Sequence, residues 1–317
     1  NLHVTIPMAD SMLDGIRSNN HRILSRVISN IENDLSLPKD FFPAIHTHAR
    51  NAIRFGITGP PGAGKSTITD QLIRRYIEDG KSVGVVAVDP TSPFSGGALL
   101  GDRIRMNTYS WDDNVFIRSM GSHGDLGGMA RKAQDVGDVL AASGKDIIIF
   151  ETVGVGQAEY DVAKAVDITC VVLVPESGDE IQMMKAGLIE IADLFIINKS
   201  DRQGAKRLAH LLKGMMHSTR KDGIEPPVVN TQANDGTGIE DLYTTIYDSF
   251  SKLDSSGRLN EKRLTRYRNR VRALVHEELL KGFWTSSKMK ELEKRTASLE
   301  SIGMSPFEAS KELLRNS

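Results

Sequence analysis

Cysteine is almost missing: Cys170 is the only one in 317 residues. No disulfide can form within the chain, so a disulfide-stapled fold is excluded. Cys170 sits in the apolar run Ile168 to Val174, the place of a small core residue. A reducing compartment is the expectation, bacterial cytoplasm or, in a eukaryote, the mitochondrial matrix. The chain begins at Asn1 rather than Met, which fits removal of an upstream targeting segment. No apolar run approaches the roughly 18 residues of a membrane-spanning helix. An excess of one charge is absent too: 40 Lys and Arg stand against 41 Asp and Glu, a net charge of −1. Such a balance draws the molecule to neither nucleic acid nor an anionic membrane, and neither is an expected partner. The eight histidines are scattered, with His46-Thr47-His48 the only close pair. A transition-metal carrier needs clustered Cys and His, and this chain has no such cluster.

What is present is organised around residues 56 to 73, GITGPPGAGKSTITDQLI. Ile53 to Thr58 reads as a short buried strand, and Ser66 to Tyr76 as a helix. Between them, Gly59-Pro60-Pro61-Gly62-Ala63-Gly64-Lys65-Ser66 fits G-x-x-x-x-G-K-[ST], followed by Thr67. Strand, glycine loop and helix together make a phosphate-binding loop, in which backbone N–H groups and the helix N-terminus converge on phosphate oxygens. Lys65 would reach the β- and γ-phosphates, and the Ser66 hydroxyl would ligate Mg²⁺.

Ahead of this lies a helical preface, residues 1 to 50. Met12, Leu13, Ile16 and then Ile23 to Leu35 recur at helical spacing, interrupted at Ser18-Asn19-Asn20-His21 by a break and fresh N-cap. The preface is expected to end near Pro38. From residue 51 to 252 strands alternate with helices, the pattern of an α/β fold with a mostly parallel sheet. Expected strands are Ser82 to Asp89, Val115 to Ser119, Asp146 to Glu151, Ile168 to Val174, Leu194 to Asn198 and Val228 to Asn230. Past Asp254-Ser255-Ser256-Gly257, residues 253 to 317 turn into long, charged helix. Leu264, Tyr267, Val271, Leu274 and Leu279 form a stripe on it that invites a partner helix.

Three further segments carry chemistry. Asn198-Lys199-Ser200-Asp201 follows an expected strand. A carboxylate at Asp201 accepts from both guanine N1–H and the exocyclic amine, which adenine cannot offer, so GTP is favoured over ATP. The later run Thr231-Gln232-Ala233-Asn234 would bring the Ala233 N–H to guanine O6. Asp146 to Gln157 ends a buried strand on Glu151, the Walker B position, where the carboxylate would hold Mg²⁺ directly or through water. Gly154 comes next as the γ-phosphate sensor. In Ras-like GTPases a glutamine directly follows that glycine; here Val155 takes its place and Gln157 stands two residues later. Slow intrinsic hydrolysis is the expectation. Finally, Asp89 and Asp102 flank a Pro- and Gly-rich loop as candidate metal carboxylates, and Pro175 to Gln182 with Lys185 forms another loop. The candidate catalytic residues are therefore Lys65, Asp89, Glu151, Gln157 and Lys185. Candidate metal ligands are Ser66, Asp89, Asp102 and Glu151. Nucleotide contacts are assigned to Gly59, Pro60, Gly62, Ala63, Gly64, Lys65, Ser66, Thr67, Gly154, Asn198, Lys199, Asp201, Gln232 and Ala233.

In their order, Gly59 to Thr67, VDPTSPFSGGALLGDRIRM, ETVGVGQAE, VPESGDEIQ and NKSD resemble the MeaB/ArgK/MMAA family of P-loop GTPases over nearly the whole chain. The resemblance implies a dimeric P-loop GTPase of the SIMIBI class. It also implies that GTP or GDP and Mg²⁺ are bound and that an adenosylcobalamin-dependent acyl-CoA mutase, such as methylmalonyl-CoA mutase, is the partner. Members gate cofactor delivery to the mutase and protect it. Residues 89 to 106, 151 to 160 and 175 to 187 would be switches, and 253 to 317 a homodimerisation arm. Gln232 stands where relatives often have serine. No stretch resembles a cobalamin-binding motif, so no cobalamin is expected on this chain itself. An alternative, an ATPase or kinase for basic amino-acid transport, is an older reading of ArgK-like sequences; it predicts ATP preference, against which Asp201 argues.

Overall fold

The computed structural model describes residues 9–49, 52–89, 109, 111–121, 126–152, 158–175, 187–219, 225–298 and 302–315. Contacts divide the chain into two compact units, Asn1–Asn260 and Glu261–Ser317.

The first unit is built on apolar strands with side chains that alternate between two faces. They are β1 (Ile53–Thr58), β2 (Val83–Asp89), β3 (Val115–Gly121), β4 (Ile147–Thr152), β5 (Ile168–Leu173), β6 (Leu194–Ile197) and β7 (Val228–Asn230). They form one sheet in the order β3-β2-β4-β1-β5-β6-β7, with every neighbouring pair parallel. In β4, Ile148 and Phe150 enter one core cluster while Ile147 and Ile149 enter another. That period-two split within a continuous apolar run is what a strand buried on both faces needs.

Helices α1 (Ala9–Arg17), α2 (His21–Glu32), α3 (Phe41–His48), α5 (Leu126–Ala142) and α6 (Ala158–Ala165) cover the first face over β2 and β4. On the opposite face lie α4 (Lys65–Glu78) and α9 (Ile239–Ser255). Between β5, β6 and the flanking α7 (Leu188–Ile191) and α8 (Ala205–Thr219) is a third cluster containing Phe195 and Leu212. Cys170 is buried in the second cluster, on β5.

The break before His21 is a helix start: the Asn20 side chain accepts from the backbone N–H groups of Arg22 and Ile23 at 3.1 and 3.2 Å. Such a cap contributes about 1 kcal/mol. The preface continues past Pro38, because α3 is anchored by buried Phe41 and Ile45, one helical turn apart. His46 and His48 therefore lie on a helix. Ion pairs tie these helices to the sheet. Buried Arg54 of β1 meets Asp138 of α5 at 2.6 Å and donates to the Ala49 carbonyl at 3.1 Å. Arg118 of β3 pairs with Glu32 of α2.

The second unit continues α10 (Arg258–Phe283) and adds α11 (Ser286–Arg295) and α12 (Pro306–Arg315). Leu264, Tyr267, Val271, Leu274 and Leu279 of its stripe are all exposed. Among the described residues, no helix is long and apolar enough to cross a membrane.

One charged group is held at a cost. Lys145, before β4, is buried and donates to the Asp113 carbonyl at 2.8 Å. Burial lowers its ammonium to about 8, against the opposing pull of Asp112, Asp113 and Asp146. An ordinary lysine titrates near ~10.4, so between these values the unfolded chain binds the extra proton and stability rises with pH. Thermal melts of the wild type and Lys145→Met should show the wild type gaining on the variant as pH goes from 8 to 10. A constant gap would contradict this.

Candidate nucleotide-binding site

The carboxyl ends of the parallel strands β1, β4, β6 and β7 lie along one edge of the sheet, where open α/β folds take ligands. The central strand β1 delivers the glycine loop. Gly59 has φ +138°, and a Cβ there would lie 2.2 Å from the Val172 carbonyl oxygen of β5. Only glycine fits so close to the neighbouring strand. Lys65 opens α4 and is 6% exposed; its Nζ donates to the Gly59 and Pro60 carbonyls at 2.7 and 2.8 Å. The ammonium is thus aimed back into the loop that its helix follows. Thr67 sits in the same first turn, half-buried.

Glu151, 5% exposed, lies in β4 in register with Ile57 of β1 and Ala87 of β2. Its carboxylate accepts a close hydrogen bond from the Ser66 hydroxyl. One residue on, Thr152 donates to Thr58 at 2.9 Å, stitching β4 to β1 beside the loop. Residues 85 positions apart in sequence thus place a hydroxyl and a carboxylate on one point. Hard oxygen donors of this kind suit Mg²⁺, so the pair fits the ion that a phosphate-binding loop requires.

The other end of the site is centred on Asn198, which is 2% exposed. Its amide donates to the Ala63 carbonyl at 2.8 Å. Its oxygen accepts from the Thr231 hydroxyl and the Ala233 N–H, each at 3.1 Å. Lys199 has φ +55° and sends its ammonium to the Gly62 carbonyl at 3.0 Å. Asp201 is exposed in the next turn. Beyond β7, the half-buried Gln232 bridges Thr237, with the Gln232 N–H donating to the Thr237 carbonyl at 2.9 Å. The Gln71 side chain of α4 donates to the Ala233 carbonyl at 2.9 Å. No motif marks Gln71; its only signal in the sequence is a polar residue on the helix after the glycine loop.

The structure therefore brings Gly59, Pro60, Gly62, Ala63, Gly64, Lys65, Ser66 and Glu151 together, and ties Asn198, Lys199 and Ala233 to the same loop. Asp89 closes β2 opposite Gly121 of β3, its side chain outside the described residues. Asp102, Gly154, Gln157 and Lys185 also lie outside them. Among the described residues, no three His, Cys, Asp or Glu side chains cluster as a metal site.

Gly64 tests the junction of the two ends. It has φ +87°, and a Cβ there would come 2.3 Å from the Asn198 amide nitrogen. Gly64→Ala should displace that amide and strain the loop, lowering nucleotide affinity at least about 10-fold by calorimetry, a loss of ~1.4 kcal/mol. Unchanged affinity would show that the junction does not shape the site.

Comparison with known proteins gives a consistent outcome. A family model described as "Methylmalonyl Co-A mutase-associated GTPase MeaB" matches residues 24–288. A protein of Pyrococcus abyssi whose name designates a GTPase is 42% identical over 312 residues, 97% of this chain and 96% of its own. The mouse protein named "Methylmalonic aciduria type A homolog, mitochondrial" is 39% identical over 243 residues, 75% of this chain and 59% of its own. A crystal structure of an LAO/AO transport system kinase superposes with a TM-score of 0.72 at 26% identity, covering 98% of both chains.

Proposed function

Since this chain belongs to the MeaB family of methylmalonyl-CoA mutase-associated GTPases, we propose that it binds and hydrolyses GTP with Mg²⁺ and that the resulting cycle serves a cobalamin-dependent acyl-CoA mutase. In this reading it gates adenosylcobalamin delivery to the mutase and protects it, without holding the corrinoid. The observation that carries the nucleotide part is the meeting of Ser66 and Glu151 beside the Lys65 loop. The mutase part is supported by the family description and the name of the mouse relative.

Each residue has a defined task. Lys65 exchanges the Gly59 and Pro60 carbonyls for β- and γ-phosphate oxygens. Ser66 and Glu151 hold the metal side of the phosphates, with Asp89 and Asp102 as further carboxylates. Bound Mg²⁺ would offset the negative charge that builds on the phosphate oxygens. Asn198 and Lys199 flank the base, Asp201 reads its N1–H and amine, and the Ala233 N–H reads O6. Val155 occupies the position of the Ras-like glutamine, so the isolated chain turns over slowly and the partner accelerates it. Gln157 and Lys185 are candidates for completing the catalytic set. The segments 89 to 106, 151 to 160 and 175 to 187 are where the terminal phosphate would be sensed and relayed.

We assign the second unit to homodimerisation. The exposed stripe on α10 supports this, as does an apolar pocket of about 1040 Å³ lined by Leu279, Phe283, Trp284 and Leu313 among others. Leu274→Glu should shift the chain toward monomer in sedimentation while leaving GDP affinity within about twofold; an unchanged mass would count against the assignment.

The competing reading is an ATP-using kinase of basic amino-acid transport, suggested by the description of the LAO/AO structure. Nucleotide choice separates the two. Asp201→Asn should move preference from GTP toward xanthosine triphosphate, because the amide now pairs with the xanthine carbonyl. Equal affinity of the wild type for ATP and GTP would favour the kinase. Single-turnover hydrolysis should be slow for the chain alone and faster with a purified acyl-CoA mutase; fast hydrolysis alone would remove the regulatory role.

A further inference from the structure

Helix α4 carries more than the phosphate end of the site. Two of its side chains and that of Asp79, which caps its C-terminus, reach toward the segment beyond β7 one turn apart each. Gln71 donates to the Ala233 carbonyl at 2.9 Å. Arg75 pairs with both carboxylate oxygens of Glu240 in the first turn of α9 and lies over the Tyr243 ring. Asp79 accepts from the Tyr243 hydroxyl at 2.6 Å. The i, i+4, i+8 spacing puts all three on one stripe of the helix. Arg75 and Asp79 engage α9 itself, whereas Gln71 grips the loop that precedes it.

That loop is closed on itself by the Gln232 N–H, which donates to the Thr237 carbonyl, and by the Gln232 carbonyl, which accepts from Asp235 and Gly236; Gln71 adds a hold from the α4 side. The loop springs from β7, an edge strand of three residues paired among the described residues with β6 alone. Ala233 is 2% exposed, and its own N–H is held from the opposite side by the Asn198 oxygen at 3.1 Å. The peptide units before and after Ala233 are thus fixed by two different elements. Asn198 at the end of β6 holds the N–H, and Gln71 on the phosphate-binding helix holds the carbonyl. Gln71 lies six residues after Lys65, about 9 Å further along the same rigid helix.

We propose that Gln71 is a positioning residue for base recognition: it sets the Ala233 N–H, which the Asn198 oxygen holds at 3.1 Å, at a fixed distance from the phosphate loop, so that the same N–H is shared with an acceptor at the purine 6-position. The inference rests on the guanine reading above and deepens it. Gln71 does not touch the base. It acts through the Ala233 peptide, and its loss lets the loop move relative to α4 while the phosphates remain held.

The test is equilibrium binding of GDP, 6-thio-GDP and ADP to the full chain and three variants, with thermal melts alongside. 6-Thio-GDP keeps the N1–H and amine for Asp201 and weakens only the 6-position acceptor. The wild type should prefer GDP over 6-thio-GDP. Gln71→Ala, helix-compatible at this half-buried position, should lose about 10-fold for GDP and about threefold or less for 6-thio-GDP, so the ratio contracts. Gln71→Glu preserves the length but cannot donate when ionised, and should contract the ratio equally. Arg75→Ala, which loosens α9 without touching the loop, should leave the ratio as in the wild type. Equal losses for both guanine nucleotides in Gln71→Ala, or a wild-type ratio in Gln71→Glu, would overturn the assignment. A wild type that binds ADP as tightly as GDP would instead overturn the guanine reading beneath it.

Discussion

The side chain of Asn198 joins the two ends of the site, and most of the surrounding geometry depends on it. Its amide and oxygen together satisfy a carbonyl of the glycine loop, a threonine hydroxyl and a backbone N–H of the loop after β7. All three partners are buried with it. Removing such a hub would leave several polar groups desolvated and unpaired, each costing about 1–3 kcal/mol, so the network holds as a whole or fails as a whole. The parallel sheet makes the network possible. With β1 between β4 and β5 and β6 next in order, the glycine loop, Glu151 and Asn198 all emerge at neighbouring strand ends.

Local chemistry was readable in the sequence where it is written in consecutive residues. The glycine loop, the acidic end of β4 and the Asn198 turn each carry their own spacing, and strand limits fell within two residues of those observed, the furthest being the end of β3 at Gly121. β4 starts at Ile147 and β2 at Val83. The N-cap before His21 was legible for the same reason, since Asn20 binds N–H groups two and three residues ahead. Features set by tertiary context were not legible. Helix α3 is short and histidine-rich, and it is a helix because Phe41 and Ile45 find a core beneath them. Gln71 reaches a partner 162 residues away, and no local pattern announces a contact of that range.

The N-terminal helices belong to the same economy of packing. Residues of α1 to α3 share one apolar cluster with β2, β4 and α5. Phe150 lies under Gly137 of α5, and Ile148 and Leu140 of α5 meet beside Gly84, while the preface packs chiefly against α5 in turn. At about 25 cal/mol per Å² of apolar surface, covering that helix is a large favourable term, whatever else the preface does. The ion pair from Arg118 to Glu32 orients α2, while Arg54 pairs with Asp138 of α5 and donates to the Ala49 carbonyl at the end of α3. Each arginine is at least partly shielded from solvent, so its partner fixes position as well as contributing attraction.

The brevity of β7 has a consequence for how other proteins can approach. A peptide that extends a sheet does so by matching a row of free backbone groups along an outer strand, and three residues offer too short a ladder for a stable addition. Loop 231–238 and helix α9 come directly after it. At this border of the molecule, recognition by strand addition is closed off, and a visitor has only side chains on helices and turns to read.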